Sequence, residues 1–469
     1  KRQAYELLAK KTGMRVTILE ASSRTGGRCL TLRPGDTLSQ DEDRNLFQSK
    51  PGPTQSVQFQ HPEGDQAPYL NAGPGRIPSS HERLLGYLKT FGVELQVYVI
   101  HSDSNLVQMN GFNGDAPLAY RRMDHNVRGW IAEMVYQNAG SLLLSQGIDP
   151  GLEEQLKSLM ISFGELNIDG RYVPKSDDEG MDEGGSTRAG YERLPGVDAG
   201  TIAPAIELSE LLTSEFWSHV FQFYQPVNFL WQPTLFQPVG GMDRVQEAFA
   251  HQVTRLGGEI HLNSPVKHIG WDEERQEFVI QVAQADQADA VEYRADYCFS
   301  NIAIPFLSQL LDDSLQNPLL SQGFDKGFKE ALSVVHAAQF NKIPDPSQNG
   351  WVDRFLACTT KVGWQARRDL WQTSKTKDAE GTSGNQPESE AGVVPIFGGI
   401  SYTSHPIVQI WYPSSDVHDE LGILTGTYNY GKTAYECGCM TIPERLNLAR
   451  EGAELFDPEF AAGLSSGVA

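Results

Sequence analysis

No stretch of the sequence stays apolar for the ~18 residues that a membrane-crossing helix needs. Basic residues are few beside acidic ones: 38 Lys and Arg stand against 60 Asp and Glu, a formal charge of −22. That balance repels phosphate backbones and anionic lipid, and so argues against nucleic acid or a charged membrane surface as a partner. Much of the acid stands in runs such as Asp177-Asp178-Glu179 and Asp182-Glu183, which read as solvated loop. Cysteine is rare. Cys29, Cys298, Cys358, Cys437 and Cys439 are an odd, scattered set that makes no disulfide framework, and all five read as non-catalytic. Cys437-x-Cys439 lacks the partners of a structural zinc site, no other His, Cys and carboxylate set has metal spacing, and no G-x-S-x-G nucleophile motif occurs. With metal and nucleophile motifs missing, demanding chemistry would fall to an organic cofactor.

The most informative stretch that is present is 14–28, MRVTILEASSRTGGR. Val16, Ile18 and Leu19 predict a short strand, Glu20 closes it, and a polar turn leads to Gly26-Gly27-Arg28. Upstream, Ala4, Leu7 and Leu8 recur at helical spacing and Gly13 stands where that helix would stop. Helix, glycine, strand, acid is the order of the second half of a βαβ dinucleotide-binding unit, in which the acid takes the ribose hydroxyls. The first half, a strand and a G-x-G-x-x-G turn, is expected before Lys1.

The rest of the 469 residues is long enough for two or three domains by the usual size of about 100–200 residues each. Residues 34–67, rich in Pro, Gly, Gln and Asp, predict a surface loop, and NAGPGRIP at 71–78 a tight turn. A short helix over 81–91 and a strand over 95–100 follow. Helical patterns over 120–165 and 205–224 flank an acidic, glycine-rich loop at 176–200. PVGGMDRV at 238–245 is a turn opening a helix that stops at Gly257-Gly258. A strand, turn and strand follow it, and another strand is expected over Tyr297 to Ile304. Residues 373–395, poor in apolar side chains, predict a mobile loop, and 399–413 and 420–429 predict strands.

Residues 16–28 resemble the second-strand signature V-x-x-L-E-A-x-x-R-x-G-G-R of the FAD-dependent amine oxidases. NAGPGRIPSSH at 71–81, FQPVGGMDRV at 236–245, TKVGWQ at 360–365 and GGISYT…IVQIWYPSS at 398–415 narrow the resemblance to the fungal and bacterial L-amino acid oxidases of that superfamily. The fold so implied is α/β (α+β). An incomplete Rossmann-like FAD-binding domain (1–70 and 236–312) is interleaved with a mixed-sheet substrate domain (71–118 and 313–440). A helical domain (119–235) and a C-terminal tail (441–469) complete it. The cofactor implied is FAD. The reaction implied is oxidative deamination of an L-amino acid by molecular oxygen to a 2-oxo acid, ammonia and hydrogen peroxide. Self-association into a homo-oligomer is left open.

Residue by residue, the resemblance assigns Glu20 to the adenosine ribose, Gly26, Gly27 and Arg28 to the pyrophosphate side, and Val266 to adenine through its backbone. Gly73, Pro74, Gly75 and Arg76 pass over the flavin, and Gly240, Gly241 and Met242 let backbone approach it. Arg76 is the expected clamp for the substrate carboxylate, where a bidentate fork suits a carboxylate. Tyr412 supplies a second hydrogen bond and Trp411 walls the pocket. Lys361 holds a water against the flavin. The resemblance also implies a glycine turn before Lys1 and a final G-(D/E)-x-x-S/T…G-W-x-x-G-A segment that PEFAAGLSSGVA does not match, so the sequence reads as truncated at both ends. The stretch 339–360 is longer than the resemblance implies and reads as an insertion or a gene-model artefact. Two other readings stay open: an amino acid 2-monooxygenase that decarboxylates, and an inactive fragment unable to hold FAD.

Overall fold

The computed structural model describes residues 1–38, 54–61, 67–175, 186, 190–193, 197, 201–220, 234–283, 290–311, 326–340, 356, 358–372 and 395–469. The expected loop at 373–394 and most of the 339–360 connection lie outside them.

The strand predicted around Val16 forms at Thr17–Leu19 and pairs in parallel with Glu259–His261. Glu20 extends the ladder by donating its N–H to the carbonyl of His261, 2.9 Å away. Helix Asp243–Arg255 buries Val245, Phe249 and Val253, spaced four apart on one face. Helix Arg2–Ala9 meets it through Tyr5, whose ring stands edge-on to Phe249 at 6.3 Å. Val266–Asp272, Glu277–Val282 and Val291–Ala295 form a separate antiparallel sheet.

The strand expected over Tyr297 to Ile304 does not form; a short helix, Ile304–Leu307, begins there instead. Extended backbone becomes a strand only against a neighbour that takes its hydrogen bonds. Among the described residues no strand pairs with this segment, and Tyr297 and Phe299 remain exposed.

Among the described residues the largest sheet has seven strands in the order Ser466–Val468, Thr359–Arg367, Leu421–Tyr430, Gln409–Trp411, Ile400–Thr403, Leu106–Gln108, Leu118–Ala119. Its pairs are antiparallel except Ile400–Thr403 with Leu106–Gln108. Strand alternation sorts the side chains of Thr359–Arg367. Val362, Trp364 and Ala366 enter a core with Leu424, Ile407, Ile410, Ala449 and Ala453. Lys361 and Gln365 face a cavity on the other side.

Residues 441–469 are not a tail. Ala449, Ala453, Phe456, Phe460 and Leu464 cover the sheet and are buried there. They lie on or beside helices Ile442–Glu454, opened by a Thr441/Glu444 capping box, and Pro458–Ala462. Ser466–Val468 then closes the sheet edge. The loop expected over 34–67 also carries structure: Thr37–Leu38 pairs with Gln55–Ser56, and Val57 and Phe59 are buried with Leu32 and Leu70.

The helical region comprises Tyr120–Gln137, Ala139–Ser145, Glu153–Gly164 and Leu208–Ser214, with a small hairpin of Tyr191–Arg193 and Thr201–Ile202. Ile77–Pro78, Leu235–Pro238 and Leu95–Tyr98 form a three-stranded sheet that anchors both the 71–76 turn and the 239–242 turn. Among the described residues, no helix is long and apolar enough to cross a membrane, and no cluster of potential metal ligands occurs.

Candidate flavin and substrate site

Segments far apart in sequence close on one point. Asn71 Oδ1 accepts hydrogen bonds from Thr31 Oγ1 and from the Met242 amide, both at 2.9 Å. The Asp243 amide donates to Thr31 Oγ1 at 3.2 Å. Arg33 forks onto the Asp243 carboxylate at 2.7 and 2.9 Å, and reaches the Gly240 carbonyl at 2.6 Å. Burial raises the Asp243 carboxyl, yet Arg33 outweighs burial and holds it below its ordinary value. Gly240 and Gly241 take φ of 84° and 113°, and a Cβ on Gly241 would meet Thr31 Cγ2 at 2.5 Å. Gly73 is tighter still, because a Cβ there would lie 2.0 Å from the carbonyl oxygen of Arg28. Backbone, not side chain, therefore fills the junction of the 26–33, 71–76 and 240–243 segments.

At one end of this junction stands Glu20. Its carboxylate accepts from the Ser22 amide at 3.0 Å and its carbonyl from the Ser264 amide at 2.8 Å, two residues before Val266. The Lys1 ammonium lies here, 3.4 Å from Gln246 Oε1; burial lowers its pKa to about 8, opposed by the charges of Glu20 and Cys29. Gly26 and Gly27 take φ of 119° and 54°. The guanidinium that braces their turn belongs to Arg24, which donates to the Gly27 carbonyl at 2.7 Å, while Arg28 is exposed.

At the other end lies a cavity of about 410 Å³ lined by Asn71, Gly75, Tyr98, Lys361, Gln365, Arg368, Trp411, Tyr412 and Thr425, among others. Lys361 Nζ donates to the carbonyls of Gly73 at 2.6 Å and Asn71 at 3.1 Å, and stands 4.9 Å from the Tyr428 ring centre. Burial pulls its pKa down to about 8, and the charge of Arg76 adds to the effect. The Arg76 guanidinium is 5.8 Å from the Trp411 ring centre. Burial lowers its pKa too, and the groups that oppose this are the phenols of Tyr98, Tyr428, Tyr430 and Tyr402. Trp411 and Tyr428 meet edge to face at 5.2 Å.

Trp411 and Tyr412 diverge, as neighbours at a strand end do. Trp411 joins the core that contains Tyr402, whereas Tyr412 packs with Trp371 and Phe460, ring centres 6.2 and 6.4 Å away. Tyr412, expected to hydrogen-bond the carboxylate, and Trp411, the expected wall, both line the cavity, with Trp411 on the Arg76 side. Sequence reasoning also passed over Asn71, Thr31, Arg33 and Asp243. Asn71 opens NAGPGR and Asp243 follows GGM, so their place in the glycine motifs was the available signal.

These residues fit an extended FAD. An acid closes the dinucleotide strand, three glycine-bearing turns leave backbone where side chains would block, and a cavity with a half-buried lysine follows. FAD chemistry needs no metal ligands from the chain.

Among curated proteins, the Bacillus subtilis (strain 168) protein named "Putative L-amino-acid oxidase YobN" is 35% identical over 104 residues, 22% of this chain. The match spans only 16% of that relative's length. Solved structures include a putrescine oxidase, wild type bound to putrescine, at TM-score 0.48 and 15% identity over 99% of this chain and 81% of that one. Cyclohexylamine oxidase from Brevibacterium oxydans IH-35A gives TM-score 0.48 and 13% identity over 99% and 80%. The profile of the flavin containing amine oxidoreductases matches residues 3–384, and the chain belongs to that family, whose cofactor is FAD.

Proposed function

We propose that the protein oxidatively deaminates an L-amino acid, giving a 2-oxo acid, ammonia and, from molecular oxygen, hydrogen peroxide. One observation carries the reading. Arg76 and Lys361 are two half-buried cations close enough that the charge of Arg76 lowers the pKa of Lys361, in a chamber walled by Trp411 and tyrosines. Two like charges partly out of water are unfavourable, and an incoming carboxylate relieves them. A simple amine would add a third cation or a neutral group and would relieve nothing.

In this reading FAD, held by Glu20, Val266 and the glycine turns, supplies the two-electron oxidation of the substrate α-carbon. Arg76 binds the α-carboxylate through its planar fork and fixes which face of the α-carbon is presented. Trp411 and Tyr428 exclude bulk water from that pair, which strengthens it. Lys361 donates from Nζ to a water in the cavity and holds a positive charge where reduced oxygen accumulates negative charge. Its pKa near 8 lets it exchange a proton within the physiological range.

The test is product analysis on the flavin-loaded protein with a panel of L-amino acids and the matching amines. A 2-oxo acid, ammonia and peroxide from amino acids, with little turnover of amines, is expected. Turnover of amines alone would sink the reading, and an amide with carbon dioxide would assign the monooxygenase.

A further inference from the structure

The same cavity is lined by a buried donor, Arg368, that the reaction above does not use. Arg368 follows strand Thr359–Arg367 and is only 4% exposed. Its Nε donates to the Leu421 carbonyl at 3.0 Å. Its Nη1 is buried and meets no acceptor among the described residues; the same holds for Trp371 Nε1 and Gln372 Nε2. Arg368 and Trp371 converge over Gly422. A Cβ there would lie 3.1 Å from the guanidinium carbon and 3.0 Å from Trp371 Cζ2, so the glycine leaves the space that the two side chains share. Arg368 lines the cavity that contains Lys361, and with Gln372 it also lines a depression on the outer surface beside Phe397, Val417 and His418. It therefore stands between the inner chamber and solvent.

Buried N–H groups left without acceptors are costly and uncommon in native proteins. The one on Arg368, which lines the cavity, calls for a ligand that accepts. A guanidinium selects a planar anion, and a carboxylate matches its fork. Burial lowers the Arg368 pKa, opposed by the charges of Asp416 and Asp419, which line the same cavity.

We propose that Arg368 is a second carboxylate site that takes the side-chain carboxylate of a dicarboxylic L-amino acid. The proposal rests on the reading of the substrate as an amino acid. Arg76 then holds the α-carboxylate, Arg368 the distal one, and the length of the side chain is measured between them.

The experiment uses the flavin-loaded protein in anaerobic stopped flow. L-aspartate, L-glutamate and L-2-aminoadipate are compared with L-asparagine, L-glutamine and L-lysine. One of the acids should reduce the flavin at least ~10- to 100-fold faster, per unit concentration, than its amide, the scale of one charge-assisted bidentate pair. Arg368→Met should erase that ratio mainly through substrate affinity, and Arg368→Lys should restore part of it. Gly422→Ala, which crowds the guanidinium but keeps its charge, should shrink it too. Should these variants misfold, the wild-type flavin spectrum decides the matter: glutarate should perturb it at concentrations about 10-fold lower than butyrate, acetate or phosphate. Equal rates for acids and amides, a preference for L-lysine, or equal effects of all four anions would each overturn the proposal. Reduction by amines and by no amino acid would remove the underlying reading as well.

Discussion

Lys361 donates to the carbonyl oxygen of Gly73, 2.6 Å away, so the strand that carries the half-buried lysine is fastened to the turn that carries Arg76. With the second bond from Nζ to the Asn71 carbonyl, this ties the large sheet to the 71–76 turn at two points.

Replacing Lys361 by Met should slow flavin reoxidation by oxygen more than flavin reduction by substrate. Stopped-flow measurement of the two half-reactions separates them. An unchanged oxidative half-reaction would take Lys361 out of the oxygen chemistry.

The same lysine should shape stability against pH. Its folded pKa, about 8, lies below the ordinary 10.5. Between those values the unfolded chain holds the extra proton, so stability rises as pH rises through that window. The share of Lys361 in that rise is at most about 3 kcal/mol, and Lys361→Met should remove it while leaving the share of Lys1, which is lowered to about 8 as well. Urea midpoints of both proteins at pH 7.5 and 10 give the comparison. Parallel changes in the two would show that the burial cost is not carried by Lys361.

Arg76→Ala should abolish most of the discrimination between an amino acid and the corresponding amine. Loss of a buried bidentate pair costs roughly 2–5 kcal/mol, on the order of 30- to several-thousand-fold in the second-order rate of flavin reduction. Arg76→Lys should recover only part of this, since an ammonium lacks the planar fork. A wild-type-like constant in Arg76→Ala with normal flavin content would move the carboxylate to another residue.

Glycines in the junction should differ sharply in what they tolerate. Gly73→Ala drives a Cβ against the Arg28 carbonyl, which is backbone and cannot swing aside. A loss of roughly 1–3 kcal/mol together with weakened flavin binding is expected. Gly27→Ala meets no atom within 4 Å and suffers only its φ of 54°, about 1–2 kcal/mol. Thermal melts with flavin fluorescence would rank the two, and the reverse order would contradict the close approach at Gly73.

What could be read from the sequence was what depends on neighbours in the chain. Val16, Ile18 and Leu19 announce a strand through β-branching and apolar character, Glu20 marks its end, and the paired glycines mark turns that need left-handed backbone. The helix over 243–255 shows itself by Val245, Phe249 and Val253. Contacts between distant polar residues leave no such trace. Nothing local says that Asn71 receives the Met242 amide, or that Arg33 closes on Asp243. Tyr297 to Ile304 has strand composition, but a strand also requires a partner that local composition does not report. Residues 441–469 carry no motif of the resemblance, and the burial of Ala449, Ala453 and Phe460 depends on a sheet laid down far upstream. Nothing in the local sequence marks Arg368, and its burial sets it apart.

The junction is held by hydrogen bonds that bridge 171, 210 and 288 residues. Loops of that size close slowly, since little local structure rewards their closure. The cofactor cradle is thus among the last features to exist as the chain folds, and it belongs to no contiguous piece. Flavin capture should lag behind secondary structure during refolding, and the yellow colour of the protein would act as a timer for the final assembly step.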